Sequence, residues 1–514
     1  MHQHQRILLL VAAGVLMSTM DSSMVNVALP TLMEEYGSSL AITEWVVLIY
    51  LLTITVMLLF WGNLSGHIGP GRVYSTGVIV FSIGSLLCSL APTIYSLIFF
   101  RFIQAMGASM MMAIGPALIK TAFPPDRLGR GLGMVGIATS MGLMTGPAVS
   151  GILIRWSHWR AIFWITVPIG LAVYLLGKKP LSALPSLHVA TAENSSTTNC
   201  RSGFSPTCND TLTPSCRAEA RPTVFRQNSS SEIKKSGRLD LIGAGLWTFS
   251  ITLTILLATH ATSLCCTGNG TNLLLFTGSA LLVILGWSLF FLHERRTQAP
   301  ILPIALFNKR SFSMAVLSGM LSFTVLFFVL ILMPFFLSSI LNLSADKIGY
   351  VMMSLPLCVF FVAPAAGRLH DAIGARIVAS TGLACCCISM LLLTGIAADT
   401  SPLTIAAYLA LLGFGQAMFL APNSAAALSS VPRSQTGITS SILATARNMG
   451  MLLGTALSGL IFTFFFSRLT GGLDLKDFTP GETAAFLLAL QRTFQAGALL
   501  AFCALLASWM RGKE

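Results

Sequence analysis

The chain has 514 residues, 54% of them hydrophobic and only 10% charged, with a mean hydropathy of +0.79. A soluble domain carries about 25% charged residues, so this chain has too little polar surface for a water-soluble body of its size. Lipid must be the remaining solvent, and the net charge of +13 belongs in loops rather than on a nucleic-acid surface. Backbone groups facing lipid have no water to bond, which restricts spans to helices or a closed barrel. The apolar stretches run about 18–25 residues without period-2 alternation, which selects helices. Cys88, Cys358, Cys385, Cys386, Cys387 and Cys503 sit inside apolar stretches and act as small hydrophobes. No Cys-x-x-Cys or His/Cys metal spacing occurs, so no metal and no cofactor is expected.

Residues 1–29 are expected to persist as a first span. Their apolar stretch is about 20 residues, no small-residue cleavage site stands out, and a second span follows quickly. Fourteen candidate spans follow in order: 7–29, 43–64, 73–90, 94–120, 131–154, 159–176, 241–259, 273–292, 312–337, 348–366, 377–397, 403–429, 439–466 and 494–509. With the N-terminus in the cytoplasm, 23 of the 31 basic residues fall on the cytoplasmic side, six outside, and Arg101 and Arg447 within spans. Cytoplasmic loops carry such an excess, and one missing span would invert every later loop. A multi-pass protein of the plasma (cytoplasmic or inner) membrane with both termini cytoplasmic is therefore expected.

Between spans 6 and 7, residues 181–236 hold 18 Ser or Thr, a density with no apolar periodicity that reads as a flexible cytoplasmic linker. The loop Gly62-Asn-Leu-Ser-Gly66-His-Ile-Gly69-Pro-Gly-Arg72 after span 2 is echoed by Gly367-Arg368-Leu-His-Asp371-Ala-Ile-Gly374-Ala-Arg376 after span 10. Two copies of one basic, glycine-rich loop at matching places imply two related bundles. The expected division is a six-helix bundle at 1–177, a linker at 178–238, two inserted spans at 239–293 and a second six-helix bundle at 294–514.

Beside the two glycine-rich loops stand Met20-Asp-Ser-Ser-Met-Val-Asn-Val-Ala-Leu-Pro30 and Arg101-Phe-Ile-Gln-Ala-Met-Gly107. Gly142-Leu-Met-Thr-Gly146-Pro147-Ala-Val-Ser-Gly151, Trp159-Arg-Ala-Ile-Phe-Trp-Ile-Thr-Val-Pro-Ile-Gly170 and Arg447-Asn-Met-Gly450 complete the set. In these motifs the sequence resembles the major facilitator superfamily, in particular its fourteen-span drug:proton antiporter branch (the EmrB/QacA type). The resemblance covers nearly the whole chain outside the linker. It implies an all-α integral membrane protein of two six-helix bundles plus two additional helices, and it implies that the loops latch a conformation through charge contacts. The first loop departs from the pattern, with Gly66 where an acidic residue is usual and His67 where a basic one is. The second keeps Asp371.

Ionisable residues inside a span cost about 2.5–3.5 kcal/mol on insertion scales, so Asp21, Arg101 and Arg447 need a reason. Asp21 lies eight residues before the outer end of span 1 and Arg101 seven after the outer start of span 4. At 1.5 Å per residue these are depths of about 12 and 10 Å, so the two charges can pair. The resemblance independently gives the aspartate a proton-carrying role. Desolvation and a neighbouring arginine act on such a carboxyl in opposite directions, and a change of pairing between states would make it take up or release a proton. Gln104, three residues after Arg101, lies on the same helix face and is a candidate for that network or for the substrate pocket. Arg447, Asn26, Asn423 and Asn448 are further pocket candidates, because a lipid-facing amide or guanidinium is costly. Gly142, Gly146, Pro147 and Gly151 permit close helix approach and a bend, a pattern echoed by Gly450, Gly454 and Gly459. That the first set blocks leakage and favours antiport is implied by resemblance.

The expected function is proton-coupled export of small amphipathic compounds, cationic or lipophilic, by alternating access. The alternatives are a dedicated exporter of one metabolite (an amino acid, sugar or siderophore) and a non-transporting sensor or scaffold. Expected partners are the small-molecule substrate, protons and the bilayer, with a periplasmic adaptor relevant only in a double-membrane bacterium. No nucleophile–base set or phosphate loop points to an enzyme.

Overall fold

The computed structural model describes residues 3–122, 128–182, 240–265, 270–297, 302–431 and 436–512. Fourteen long helices account for most of them. They are α1 Gln3–Tyr36, α2 Trp45–Ile68, α3 Pro70–Ser89, α4 Ile94–Ala122, α5 Leu128–Trp156, α6 Thr166–Ser182 and α7 Leu241–Cys265. The series continues with α8 Gly270–Arg296, α9 Arg310–Ser339, α10 Ala345–Ile373, α11 Ala375–Leu393, α12 Pro402–Ser429, α13 Thr436–Leu469 and α14 Thr483–Trp509. Single turns at Leu40–Thr43 and Ala161–Trp164 lead into α2 and α6. Among the described residues, thirteen stretches are long and apolar enough to cross a membrane. The remaining long helix, α5, has 29 residues, about 44 Å at 1.5 Å per residue. Residues 183–239, most of the expected linker, lie outside the described residues.

Local chemistry sets the helix ends. Pro70 and Pro402 open α3 and α12, where a missing N–H costs nothing, and Ser401 caps α12 by accepting from the Thr404 N–H at 3.2 Å. The two repeated loops turn by one device, a glycine in the left-handed region: Gly69 at φ 101° and Gly374 at φ 85°, angles that other residues avoid. Two expected boundaries are corrected. α14 begins at Thr483 rather than 494, since Arg492 interrupts the apolar run but not the helix and donates to Gln495 Oε1 at 3.2 Å. α1 likewise extends back to Gln3, with Arg6 exposed.

The two bundles repeat one packing plan. Gly142 and Gly146 of α5 close on α1, where a side chain would meet Thr19 Oγ1 at the first and Ser23 Cβ (2.6 Å) at the second. Gly450 and Gly454 of α13 close on α9 against the carbonyl oxygens of Met320 and Thr324. The glycine steps are the same in both helices, four residues and then five to Gly151 and Gly459.

The end of the molecule at Trp159 and the end at Arg72 differ in how the core is shared. Towards the Trp159 end a single apolar core crosses both bundles, joining Met24 to Leu32 of α1 with Phe327 to Leu337 of α9 and Leu452 to Phe466 of α13. Towards the Arg72 end the core divides. One cluster belongs to α1–α4 with Val173 of α6, runs from Ile7 through Tyr74 to Ile119, and meets α13 at Ala444. Separate smaller clusters gather around Phe312, Phe419 and Met418 in α9–α14. α7 and α8 pack on each other through Trp247, Trp287 and Phe290, expose Leu281, Leu282 and Ile284, and join the shared core through Ile251 and Ile255.

Candidate functional site

The structure brings Asp21 of α1 and Arg101 of α4 together, both almost wholly buried, with Nη1 donating to Asp21 Oδ2 at 2.6 Å. Gln104, one turn along α4, closes a triangle. It accepts from Arg101 Nη1 at 2.7 Å and donates through Nε2 to Asp21 Oδ1 at 2.8 Å and Ser85 Oγ at 2.6 Å. Arg101 Nε donates to the Val46 carbonyl at 3.2 Å, and its guanidinium carbon lies 4.1 Å from the Tyr50 ring centre. Tyr50 in turn meets Ser18 Oγ at 2.9 Å. Burying two ions costs several kcal/mol each, and the pair survives only if the remaining lone pairs and protons are satisfied. Here both carboxylate oxygens have donors. Gly84 lets α3 approach the Gln104 backbone closely enough for Ser85 to reach it.

Gln104 was a candidate wall of the substrate pocket. It is fully buried and its polar atoms are committed to Asp21, Arg101 and Ser85, so it belongs to the ion-pair network instead.

The helix-5 glycines link this network to the second bundle. Gly142 and Gly146 pack on α1 on either side of Asp21, and Ser150 Oγ donates to the Met24 carbonyl at 2.8 Å. Pro147 and Gly151 face α10. The Pro147 carbonyl lies against Gly349, and a side chain at Gly151 would overlap the Ala345 carbonyl and stand 2.9 Å from Asp346 Cα. Arg155, four residues further, forms an ion pair with Asp346. One helix therefore packs against both the stretch of α1 that carries Asp21 and the neighbouring bundle.

In the second bundle, Arg447 lines a small cavity of about 10 Å³ with Val316, Gly319, Phe323, Asn423 and Ser424, near the limit for one water. Arg447 has no hydrogen-bond or ion-pair partner among the described residues. It lies one turn from Ala444, the α13 residue that meets the first bundle, so it stands on the face turned towards that bundle. Asn423 lines the same cavity, but its amide is committed: Nδ2 donates to the Ala315 carbonyl at 3.0 Å and Oδ1 accepts from Arg511. Asn26 is buried with no partner for Oδ1, and Asn448 is buried on α13.

Of the loop residues, Gly62, Gly69, Gly367 and Gly374 have open space where a side chain would stand, and Arg72 and Arg368 are exposed. Arg376 stacks on the Trp509 ring at 4.5 Å. The surroundings of Gly66 and the side chain of Asp371 lie outside the described residues.

Three features escaped the sequence. Ser85 and Tyr50 complete the ion-pair network. Tyr50, five residues into α2, sits about 8 Å deep at 1.5 Å per residue, a depth close enough to Arg101 to have flagged it. Glu44, the residue before α2, is 2% exposed and lies against Gly459 of α13. As a residue at the edge of a span it was not counted among the intramembrane charges.

The family model of the Major Facilitator Superfamily matches residues 11–307 and 315–513. The chain is 30% identical over 507 residues to the riboflavin transporter RibZ of Clostridioides difficile, covering 98% of this chain and 97% of that protein. It is 27% identical over 455 residues to the multidrug resistance protein Stp of Mycobacterium tuberculosis, covering 88% and 75%. A bacterial homologue of the human lysosomal transporter Spinster, solved inward-facing and unoccupied, shares the fold with a TM-score of 0.64 at 13% identity, covering 99% and 97% of the two chains. Paired bundles on one packing plan and a family match over nearly the whole length lead to one assignment: this protein belongs to the Major Facilitator Superfamily.

Proposed function

We propose that the protein exports small amphipathic compounds in exchange for protons, by alternating access. The observation that carries this reading is the buried Asp21–Arg101–Gln104 network. Charges this deep are retained at a cost that apolar residues of the same shape would avoid, and a proton on Asp21 would deprive Arg101 of its counter-ion. A state in which Arg101 finds other acceptors then becomes favoured, which couples protonation to conformation. A proton entering down a 100 mV potential supplies about 2.3 kcal/mol. The Arg72 end is the cytoplasmic one in this reading, since the basic loops lie there, and the membrane is the plasma membrane. The shared core then seals the outer side. The α5 glycines transmit the state of α1 to α10, and the loops around Arg72 and Arg376 latch the inner side.

Asp21→Asn tests the coupling. In proteoliposomes with an imposed pH gradient, proton-driven movement of ethidium, compared at equal amounts of folded and inserted protein, is expected to fall to the level of protein-free vesicles. Undiminished pH-driven transport would sink the proposal.

A second reading, a dedicated exporter of one metabolite, is favoured by two observations. The riboflavin transporter is 30% identical over nearly the full length, and the cavity group left without a partner is a cation, Arg447, rather than an acid. Acceptor-rich neutral or anionic molecules suit such a wall. An efflux panel holding ethidium, riboflavin and unrelated drugs separates the two: one transported compound supports the dedicated exporter, several chemical classes support the broad one.

A further inference from the structure

The repeated packing plan places two acids at equivalent seams between the bundles. At one seam the third glycine of α5, Gly151, lies against Ala345 and Asp346 at the start of α10. At the other the third glycine of α13, Gly459, lies against Glu44 at the start of α2. Asp346 and Glu44 are thus counterparts. The first has a cation: Arg155, four residues after Gly151, pairs with Asp346. Four residues after Gly459 stands Thr463, which carries no charge. Glu44 is 2% exposed, its Oε1 has no hydrogen-bond partner, and no ion pair reaches it among the described residues. Its carboxyl lies so close over Gly459 Cα that any side chain there would overlap it.

The charged groups of the surrounding helices do not serve it. On α13, Arg447 is twelve residues before Gly459 and Arg468 nine after, about 18 and 14 Å along the axis. On α4, Arg101 is committed to Asp21, Gln104 and Val46. On α1, Glu35 is held by Trp159 and Arg160, and Asp21 and Glu34 are acids. Among groups that can be cationic, α3 carries only Arg72, at the far end, and α7 only His260. An isolated carboxylate cannot be buried at bearable cost, so the group must be neutral while the seam is shut.

We infer that Glu44 is a second proton-binding site, protonated when α2 and α13 are sealed together and ionised when they part. A proton arriving from the Trp159 side is then a condition for closing that side, and acid stabilises the sealed state. Glu44 gives that proton back to the same side on opening, so it gates the cycle and moves no net charge. Its place in transport rests on the antiport reading, whereas its protonation in the sealed state does not.

Infrared difference spectra of the full-length protein in nanodiscs test it. Wild type minus Glu44→Gln at neutral pH is expected to show the C=O stretch of one protonated carboxyl, present also in Asp21→Asn. Thr463→Arg, which supplies the missing cation, is expected to remove it. Hydrogen exchange across residues 40–48, corrected for intrinsic rates, reads the gate. Opening in wild type should rise with pH by up to about tenfold per unit, the limit for one proton, while Glu44→Gln stays protected. The absence of the band in wild type, or equal pH dependence in wild type and Glu44→Gln, overturns the proposal. Loss of transport in Asp21→Asn leaves both readouts unchanged, so the coupling and gating proposals fail separately.

Discussion

The two bundles share a packing plan but not a charge plan. In the first, Gln104 of α4 reaches a carboxylate on α1 and an arginine one turn away. In the second, Gln416 of α12 reaches α9 in the same manner, donating to the Ser322 carbonyl at 3.1 Å and accepting from Ser322 Oγ at 3.0 Å. Three residues before each glutamine stands Arg101 in one bundle and Gly413 in the other. The scaffold therefore keeps the glutamine bridge in both bundles and the ions in only one. What one bundle keeps and the other dispenses with is the better guide to function, because packing alone cannot account for it.

Removing one ion should have the largest effect on stability. Arg101→Gln leaves Asp21 buried without its cation, and breaking a buried pair in this way costs about 3–5 kcal/mol. The solubilised variant is expected to unfold at a markedly lower temperature than wild type. Replacing both partners, as in Asp21→Asn with Arg101→Gln, should recover much of that loss while pH-driven transport stays absent. Recovery of transport by the double variant would mean that the pair serves packing alone.

Gly454→Leu comes next. It forces a side chain onto the Thr324 carbonyl and Phe327 Cβ, and overpacking of this kind costs about 1–3 kcal/mol. Thermal unfolding should register it, and Gly146→Leu should match it if the two seams within the bundles are equivalent. A much larger effect at Gly146 would show that Asp21, next to that contact, is disturbed as well.

Much of this was legible in the sequence, for physical reasons. Hydropathy and loop charge report on a helix and its two ends, so the fourteen long helices could be placed, though Arg492 shortened the apparent last span. The matching depths of Asp21 and Arg101 follow from helix rise alone. What the chain could not reveal is how separate helices meet. Gln104 looked equally fit for a pocket wall or an ion network, and only the position of α3, set by Gly84, decides between them. Asn423 looked like a pocket amide, but Arg511 from the far end of the chain occupies it. Glu44 went unnoticed because its burial is supplied by α13, more than 400 residues away.

The two glutamines offer a finer comparison. Gln104→Leu strips a donor from a buried carboxylate, and an unsatisfied charged group costs more than a neutral one, beyond about 1–3 kcal/mol. Gln416→Leu leaves only a serine hydroxyl and a carbonyl without partners, for a net loss of about 1 kcal/mol. The expected order in thermal unfolding is therefore Gln104→Leu well below Gln416→Leu, with Gln416→Leu close to wild type. The Arg155–Asp346 pair, whose arginine is half-exposed, should matter less still, because exposed pairs contribute about 0–1 kcal/mol. Arg155→Gln is expected to leave stability nearly unchanged. If it proves as damaging as Gln104→Leu, the α5–α10 seam is held by charge rather than by the close approach of Gly151 and Gly349, and the two seams differ in kind rather than in one missing cation.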